Sequence, residues 1–198
     1  MKKTVWVIDD DDSIRWVLDK ALGQAGIPIK AFDSADEAMH LFPNELPLTV
    51  LSDIRMPGSS GLDFLQKIQA EFPQIPVIIM TAHSDLDSAV NSFELGAYEY
   101  LAKPFDIDEV VNVVQRAISS RSESDPEITN QITPSSEILG SAPAMQEVFK
   151  AIGRLSSSSF TVLINGESGS GKELVARALH THGPRKNEVF VALNVAAI

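Results

Sequence analysis

The sequence has 198 residues, 44% of them hydrophobic, which allows one or two domains with a proper core. It contains no cysteine, which excludes disulfides and thiolate metal sites, and no apolar run near the ~18 residues of a membrane span. Net charge is −11, divided as −9 over residues 1–121 and −2 over 122–198, with no basic stripe in either part. Direct nucleic-acid binding by this stretch is therefore not expected, since phosphate neutralisation needs clustered Lys and Arg.

The start, Met1-Lys2-Lys3-Thr4, runs straight into a strand-like segment. It lacks the long apolar region of a signal peptide, so a cytosolic location is the default expectation. Thr4–Ile8 reads as a buried strand ending in the run Asp9-Asp10-Asp11-Asp12. Ser13 then opens a helix with Ile14, Val17, Leu18, Ala21, Leu22 and Ala25 on one face, stopped by Gly26. A second strand is expected over Ile27–Phe32. Ser34-Ala35-Asp36-Glu37 has the form of a capping box and starts a helix to about Phe42. Leu48–Ser52 is the third strand and Leu62–Phe72 the third helix.

Pro76–Thr81 is apolar almost throughout, as expected of a strand covered on both faces. Ser84 or Asp85 caps a helix through Leu95, which Gly96 ends. Tyr98–Ala102 is a short fifth strand, and Asp106–Glu109 open a last helix with Val110, Val113, Val114 and Ala117 inward. Five strands alternating with five helices imply a parallel sheet covered on both faces. One switch point gives the flavodoxin-like order 2-1-3-4-5, with strands 1 and 3 adjacent.

Residues 122–137 are polar, carry two prolines and show no apolar period, so they read as a linker between a domain at 1–121 and a second unit at 138–198. In that unit Pro143–Leu155 is helical, Thr161–Asn165 a strand, Gly166–Lys172 a glycine-rich loop, the stretch to His180 a helix, and Val189–Leu193 another strand. A βαβ start of this size cannot bury both faces of a sheet, so the unit is expected to be the truncated start of an α/β domain.

The chemistry-bearing residues fall at strand ends: Asp9 and Asp10 after strand 1, Asp53 after strand 3, Thr81 after strand 4, Lys103 after strand 5. They converge on the carboxyl edge of the sheet, where open α/β folds place ligands. Three carboxylates together repel by ~4 kcal/mol per close pair at an effective dielectric of about 20. That cost points to a hard divalent cation, and Mg²⁺ suits carboxylate, water and phosphate oxygens. Lys103 and the Thr81 hydroxyl can each bond a phosphoryl oxygen, which makes Asp53 a candidate phosphoryl acceptor. Singly, each residue has a plainer role: a helix-start charge, a cap, a turn.

The acidic pair, Asp53 before Met56-Pro57-Gly58, Thr81-Ala82 and Lys103-Pro104-Phe105 together resemble a response-regulator receiver domain over residues 3–120. The resemblance implies that Asp53 takes phosphate from the histidine of a sensor histidine kinase. It assigns Mg²⁺ to Asp9, Asp10, Asp53 and the backbone carbonyl of Arg55, and matches Thr81 and Tyr100 to the family's switch hydroxyl and aromatic. Counting back from Arg15 selects Asp9 and Asp10; Asp11 is the alternative partner.

Gly166-Glu167-Ser168-Gly169-Ser170-Gly171-Lys172-Glu173 fits G-x-x-x-x-G-K between a strand and a helix, the context of a P-loop for ATP phosphates. Ser170 rules out a nucleophile elbow and Leu174 a dinucleotide loop. Glu173 stands where Ser or Thr usually binds Mg²⁺, yet this octapeptide resembles sigma-54-dependent activators of the AAA+ class. Ile138-Leu139-Gly140 and Pro143-Ala144-Met145 are similar to that family's entry segment, and Asn194 with Ala196-Ala197-Ile198 to its second core strand. The resemblance implies a phosphorylation-controlled transcription activator working with sigma-54 RNA polymerase and enhancer DNA, dimeric and of higher order when complete and phosphorylated. Family motifs such as Walker B are absent from this sequence, so the chain alone is not expected to hydrolyse ATP.

Two other readings compete. One is a receiver-only interaction module with a non-functional second unit. The other is a haloacid-type Mg²⁺-dependent hydrolase, which Arg55 disfavours because that class carries a second Asp there. The histidines suggest little: His40 is expected at the surface, His83 in a loop, and His180 and His182 at a helix end.

Overall fold

The computed structural model describes residues 4–82, 86–120, 143–156 and 158–193. The linker, Ile138-Leu139-Gly140 of the entry segment, His83, the expected caps Ser84 and Asp85, and Asn194–Ile198 lie outside the described residues.

The receiver stretch alternates β1 (Val5–Ile8), α1 (Asp12–Gln24), β2 (Ile29–Phe32), α2 (Ala35–Met39), β3 (Val50–Asp53), α3 (Gly61–Glu71), β4 (Val77–Thr81), α4 (Leu86–Glu94), β5 (Glu99–Ala102) and α5 (Ile107–Ser120). All strand pairings are parallel, in the order β2-β1-β3-β4-β5. The expected topology is the observed one. It follows from strands apolar on both faces: β1 is wholly buried and β3 and β4 carry no exposed residue, so helices must cover both sides. One face packs Trp6, Ile8, Val50, Val77 and Ile79 with Phe64, Leu65 and Ile68 of α3. The other packs Val5, Val7, Leu51, Ile78 and Met80 with α1 and α5.

Local signals explain most element ends. Asp11, rather than Ser13, caps α1: its carboxylate accepts the Ser13 amide at 2.8 Å. Ala25 of the expected apolar face is exposed. The capping box expected at Ser34–Glu37 is half made, since Ser34 accepts the Glu37 amide but no reciprocal bond is present among the described residues, and α2 ends at Met39. A complete box stands instead at Ser60–Asp63, opening α3. Gly26 and Gly96 end helices at φ 73° and 89°, conformations that suit glycine.

The second unit contributes α6 (Pro143–Ser156) and α7 (Lys172–Thr181). Neither strand expected there forms. Residues 161–165 and 189–193 have no hydrogen-bonded strand neighbour among the described residues, and a strand without a ladder has nothing to fix it. Their apolar side chains are correspondingly uncovered: Leu163 is 83% exposed and Val189 84%. No helix among the described residues is long and apolar enough to cross a membrane.

Candidate functional site

β1 and β3 lie side by side, so their carboxyl ends deliver Asp9 and Asp53 to one place. β4 delivers Thr81 and β5 leads directly into Lys103. The cavity they line holds about 310 Å³ and includes Asp10, Asp11, Arg55 and Ala82 at its edge. Asp9, Asp10, Asp53, Thr81 and Lys103, expected at this edge, all line it, while Tyr100, matched to the switch aromatic, is buried in β5 within the apolar cluster beside α4.

At the centre is the Lys103 ammonium. Its Nζ donates to Asp9 Oδ2 and to Asp53 Oδ1, each at 2.6 Å. The second oxygen of Asp53 accepts the Arg55 amide at 2.8 Å, and Asp9 Oδ1 accepts the Asp11 amide at 3.1 Å. Burial pushes the Asp9 carboxyl above its ordinary value, more strongly than the Lys103 bond pulls it down. Burial also disfavours charge on Lys103, but the bonds to Asp53 and Asp9 outweigh it and hold the ammonium above the usual lysine range. The repulsion anticipated between the carboxylates is thus met by a lysine already in place. Among the described residues no three acidic or histidine side chains are grouped as a finished metal site.

The four-aspartate run divides into distinct jobs. Asp9 is buried at the cavity floor, and the Arg15 guanidinium donates to its backbone carbonyl. Asp11 is committed to the α1 cap, whose bonds from Ser13 hold its carboxyl below the ordinary range. Asp12 pairs with Arg15 on the surface. Asp10 is exposed at the cavity mouth, with no side-chain hydrogen bond among the described residues. Asp10 is therefore the carboxylate available beside Asp9, and Asp11 is the occupied one.

Two supports were not legible in the sequence. Asp36 accepts the Ser59 hydroxyl at 2.6 Å and the Ser59 amide at 3.3 Å, tying α2 to the loop after Asp53. These bonds also lower the Asp36 carboxyl from its ordinary value. Gly61 returns that loop to β3 so closely that an added Cβ would lie 1.9 Å from the Asp53 carbonyl oxygen. A glycine opening a helix was the only available sign of this approach.

In the second unit, Gly169 and Gly171 adopt φ 80° and 85°, which wraps the loop around the N-terminus of α7. Lys172 folds back on it, donating to the carbonyls of Gly166 at 2.9 Å and Glu167 at 2.5 Å. Ser170 Oγ donates to the Glu167 carbonyl at 2.8 Å. A cavity of about 660 Å³ joins this loop to Met145, Val148 and Ile152 of α6 and Leu174 and Val175 of α7. Glu173 faces away into an ion pair with Arg177 at 2.8 Å. His182, at the end of α7, is held below the ordinary histidine value by burial.

Residues 5–115 match the response regulator receiver domain family. The chain belongs to that family. Residues 138–198 match the Sigma-54 interaction domain. Over 195 residues the chain is 56% identical to the DNA-binding transcriptional regulator NtrC of Escherichia coli (strain K12), covering 98% of this chain and 42% of that protein. NtrC of Azospirillum brasilense is 41% identical over 197 residues, again 98% of this chain and 41% of the relative. The BeF3-activated receiver domain of Nitrogen Regulatory Protein C superposes with a TM-score of 0.55 at 52% identity, covering 62% of this chain and all of that one. NtrX from Brucella abortus, solved with ATP, matches at TM-score 0.57 and 31% identity over all of this chain and 44% of its own. The response regulator is thus NtrC-like, a receiver followed by part of a sigma-54 interaction domain, and it spans about two fifths of its full-length relatives.

Proposed function

We propose that Asp53 is the phosphoacceptor of a two-component system and that its state controls sigma-54-dependent transcription of nitrogen-assimilation genes. The observation that carries this reading is the cavity at the sheet's carboxyl edge, where a largely buried lysine bridges Asp53 to a buried second carboxylate. A carboxylate oxygen of Asp53 attacks the phosphorus of a phosphohistidine on a sensor histidine kinase. The P–N bond breaks, the imidazole leaves, and an acyl phosphate remains. Lys103, released from Asp53, would pair with a phosphoryl oxygen, and Thr81, which lines the same cavity, would offer its hydroxyl to another.

The oxygen donors at the mouth suit a hard cation. Asp9, Asp10, Asp53 and the Arg55 carbonyl would hold Mg²⁺, which supplies charge neutralisation for the transferring phosphoryl group when bound. Asp9 must be ionised for that, and its buried position makes the cation the partner that would favour ionisation. Thr81 and Tyr100 flank α4 in the chain and the sheet, so a phosphoryl group drawing Thr81 inward would bias α4 between two arrangements.

Gly166–Glu173 is read as the phosphate grip for ATP, with Lys172 leaving its two carbonyls to reach phosphate oxygens and the α6–α7 cavity receiving the base. ATP turnover, polymerase remodelling, enhancer binding and assembly beyond a homodimer are the outputs that phosphorylation would control. Incubation with acetyl phosphate and Mg²⁺ followed by mass spectrometry tests the central assignment. Phosphate is expected on Asp53; phosphate elsewhere, or persisting in Asp53→Asn, overturns it.

A further inference from the structure

The loop after Asp53 carries the Arg55 carbonyl, and a carbonyl that is to serve a cation must point in one direction. Residues 55–58 lie outside any strand or helix. The base of the loop is closed where the Gly61 amide donates to the Ile54 carbonyl at 3.0 Å. Its far end is capped into α3 by Ser60 and Asp63. On the inner side the Arg55 amide donates to Asp53 Oδ2 at 2.8 Å, and Met56 rests against the core cluster. The tip, Gly58 and Ser59, reaches toward α2.

α2 meets that tip through Asp36. Ala35 and Ala38 are fully buried and seat the helix on the core, which leaves Asp36 exposed beside the loop. Asp36 Oδ1 accepts the Ser59 hydroxyl at 2.6 Å, and Oδ2 accepts the Ser59 amide at 3.3 Å. The same Oδ2 would lie 2.6 Å from a Cβ at Gly58, which adopts φ 84°. The carboxylate thus fills the space that a side chain at 58 would take, and its two oxygens fix both the place and the rotation of the tip. Met56, Pro57 and Gly58 are all that separate Ser59 from Arg55. Pro57 has a fixed φ, so a rotation at the tip is carried back to the Arg55 peptide. Mg²⁺ demands near-ideal octahedral geometry, and a misdirected carbonyl costs affinity. α6 of the second unit packs instead on α4, where Phe149 and Ile152 are buried with Ala89 and Val90, so the clamp needs only the receiver.

We propose, on the reading of Asp53 as phosphoacceptor and of the Arg55 carbonyl as a Mg²⁺ ligand, that Asp36 is a positioning residue for the phosphoryl-transfer site. Through Ser59 it sets the direction of the Arg55 carbonyl and with it the Mg²⁺ affinity of the cavity. The reactivity of Asp53 at saturating Mg²⁺ does not depend on it.

Mg²⁺ titrations of the 198-residue chain test this, followed by NMR amide shifts and by the initial rate of Asp53 phosphorylation from acetyl phosphate. Asp36→Ala should weaken Mg²⁺ binding about fivefold and raise the Mg²⁺ concentration for half-maximal rate by the same factor. Its maximal rate at saturating Mg²⁺ should stay within about twofold of wild type. Asp36→Asn should restore the Mg²⁺ midpoint, because its oxygen can accept the Ser59 amide and its NH₂ can donate to the Ser59 hydroxyl. Asparagine carries no charge, so this rescue separates the clamp from simple attraction of the cation. Ser59→Ala keeps the first turn of α2 intact and should weaken Mg²⁺ binding about twofold. Wild-type Mg²⁺ affinity in Asp36→Ala overturns the clamp, even where urea unfolding shows lost stability. So does an Asp36→Asn as weak as Asp36→Ala, or a fall in maximal rate with an unmoved Mg²⁺ midpoint. A wild-type chain whose Asp53 takes no phosphate, or takes it without regard to Mg²⁺, overturns the underlying reading and the clamp with it, and the wild type alone shows which has failed.

Discussion

Lys103 is shared: its ammonium holds Asp53 on one side and the buried Asp9 on the other, at the same 2.6 Å distance. One cation therefore offsets two carboxylates in a partly closed cavity, and its removal leaves both without compensation. Lys103→Met should destabilise the metal-free chain by about 2 kcal/mol in urea unfolding, discounted from a fully buried pair because Lys103 is 15% exposed. Added Mg²⁺ should return part of that loss. A variant as stable as the wild type without metal would show that the bridge carries no net energy.

Asp10 and Asp11 differ in what they already do, and Mg²⁺ should tell them apart. Asp10→Asn removes the free carboxylate at the cavity mouth and should weaken Mg²⁺ binding by about tenfold, followed by amide shifts in an NMR titration. Asp11→Asn should leave Mg²⁺ affinity near wild type, because Asp11 is engaged at the α1 cap. Weaker Mg²⁺ binding in both variants would move the metal pair to Asp10 and Asp11.

Thr81→Ala should separate the chemistry from its readout. Asp53 should still accept phosphate from acetyl phosphate, since the nucleophile, Asp9 and Lys103 remain. The accompanying shift changes over α4 and β5 should shrink, while those around Asp53 persist. Full-size α4 changes in the variant would remove Thr81 from the switch.

Ser60→Ala removes the side-chain half of the α3 capping box, together with the Ser60 hydroxyl bond to Asp63, and leaves the backbone half. The expected cost is about 1 kcal/mol. The Ser60 hydroxyl and amide hold the Asp63 carboxyl below its ordinary value of 3.8. A depressed carboxylate stabilises the fold above the unfolded value and loses that contribution as pH falls from there through the folded value. NMR titration should place Asp63 below 3.8 in the wild type and higher in the variant, with the stability gap between them narrowing in acid.

Gly61→Ala asks for space that the Asp53 carbonyl occupies, at 1.9 Å from the new Cβ. Because the obstacle is backbone, the loop carrying Arg55 to Ser60 must move. A loss of roughly 2–3 kcal/mol is expected, together with weaker Mg²⁺ binding. Wild-type stability would mean that the loop relaxes without cost.

How much of this was legible beforehand varies by residue. The sheet order was, because β1, β3 and β4 are apolar on both faces and each is followed by a helical period. The converging edge was legible from Asp9, Asp53, Thr81 and Lys103, because parallel strands bring their carboxyl ends to one side. The division of labour within the aspartate run was not. Which carboxylate caps, which is buried and which is free depends on where α1 starts, and Asp11 and Ser13 are equally good cap residues on paper. The Asp36–Ser59 bond joins residues far apart in sequence, and Asp36 already had a local explanation in the first turn of α2. The strands expected at 161–165 and 189–193 show the reverse error: apolar composition favours a strand, but only a neighbouring strand makes one.

The seat of α6 on the receiver also bears on assembly. Any second copy that used the α4–β5–α5 face would compete with a helix tethered to the same chain. A tethered competitor acts at an effective concentration on the order of millimolar for a linker of suitable reach. At micromolar protein, association through this face would be suppressed until α6 lets go of α4, where a Cβ on Gly153 would lie 2.6 Å from the Phe93 ring.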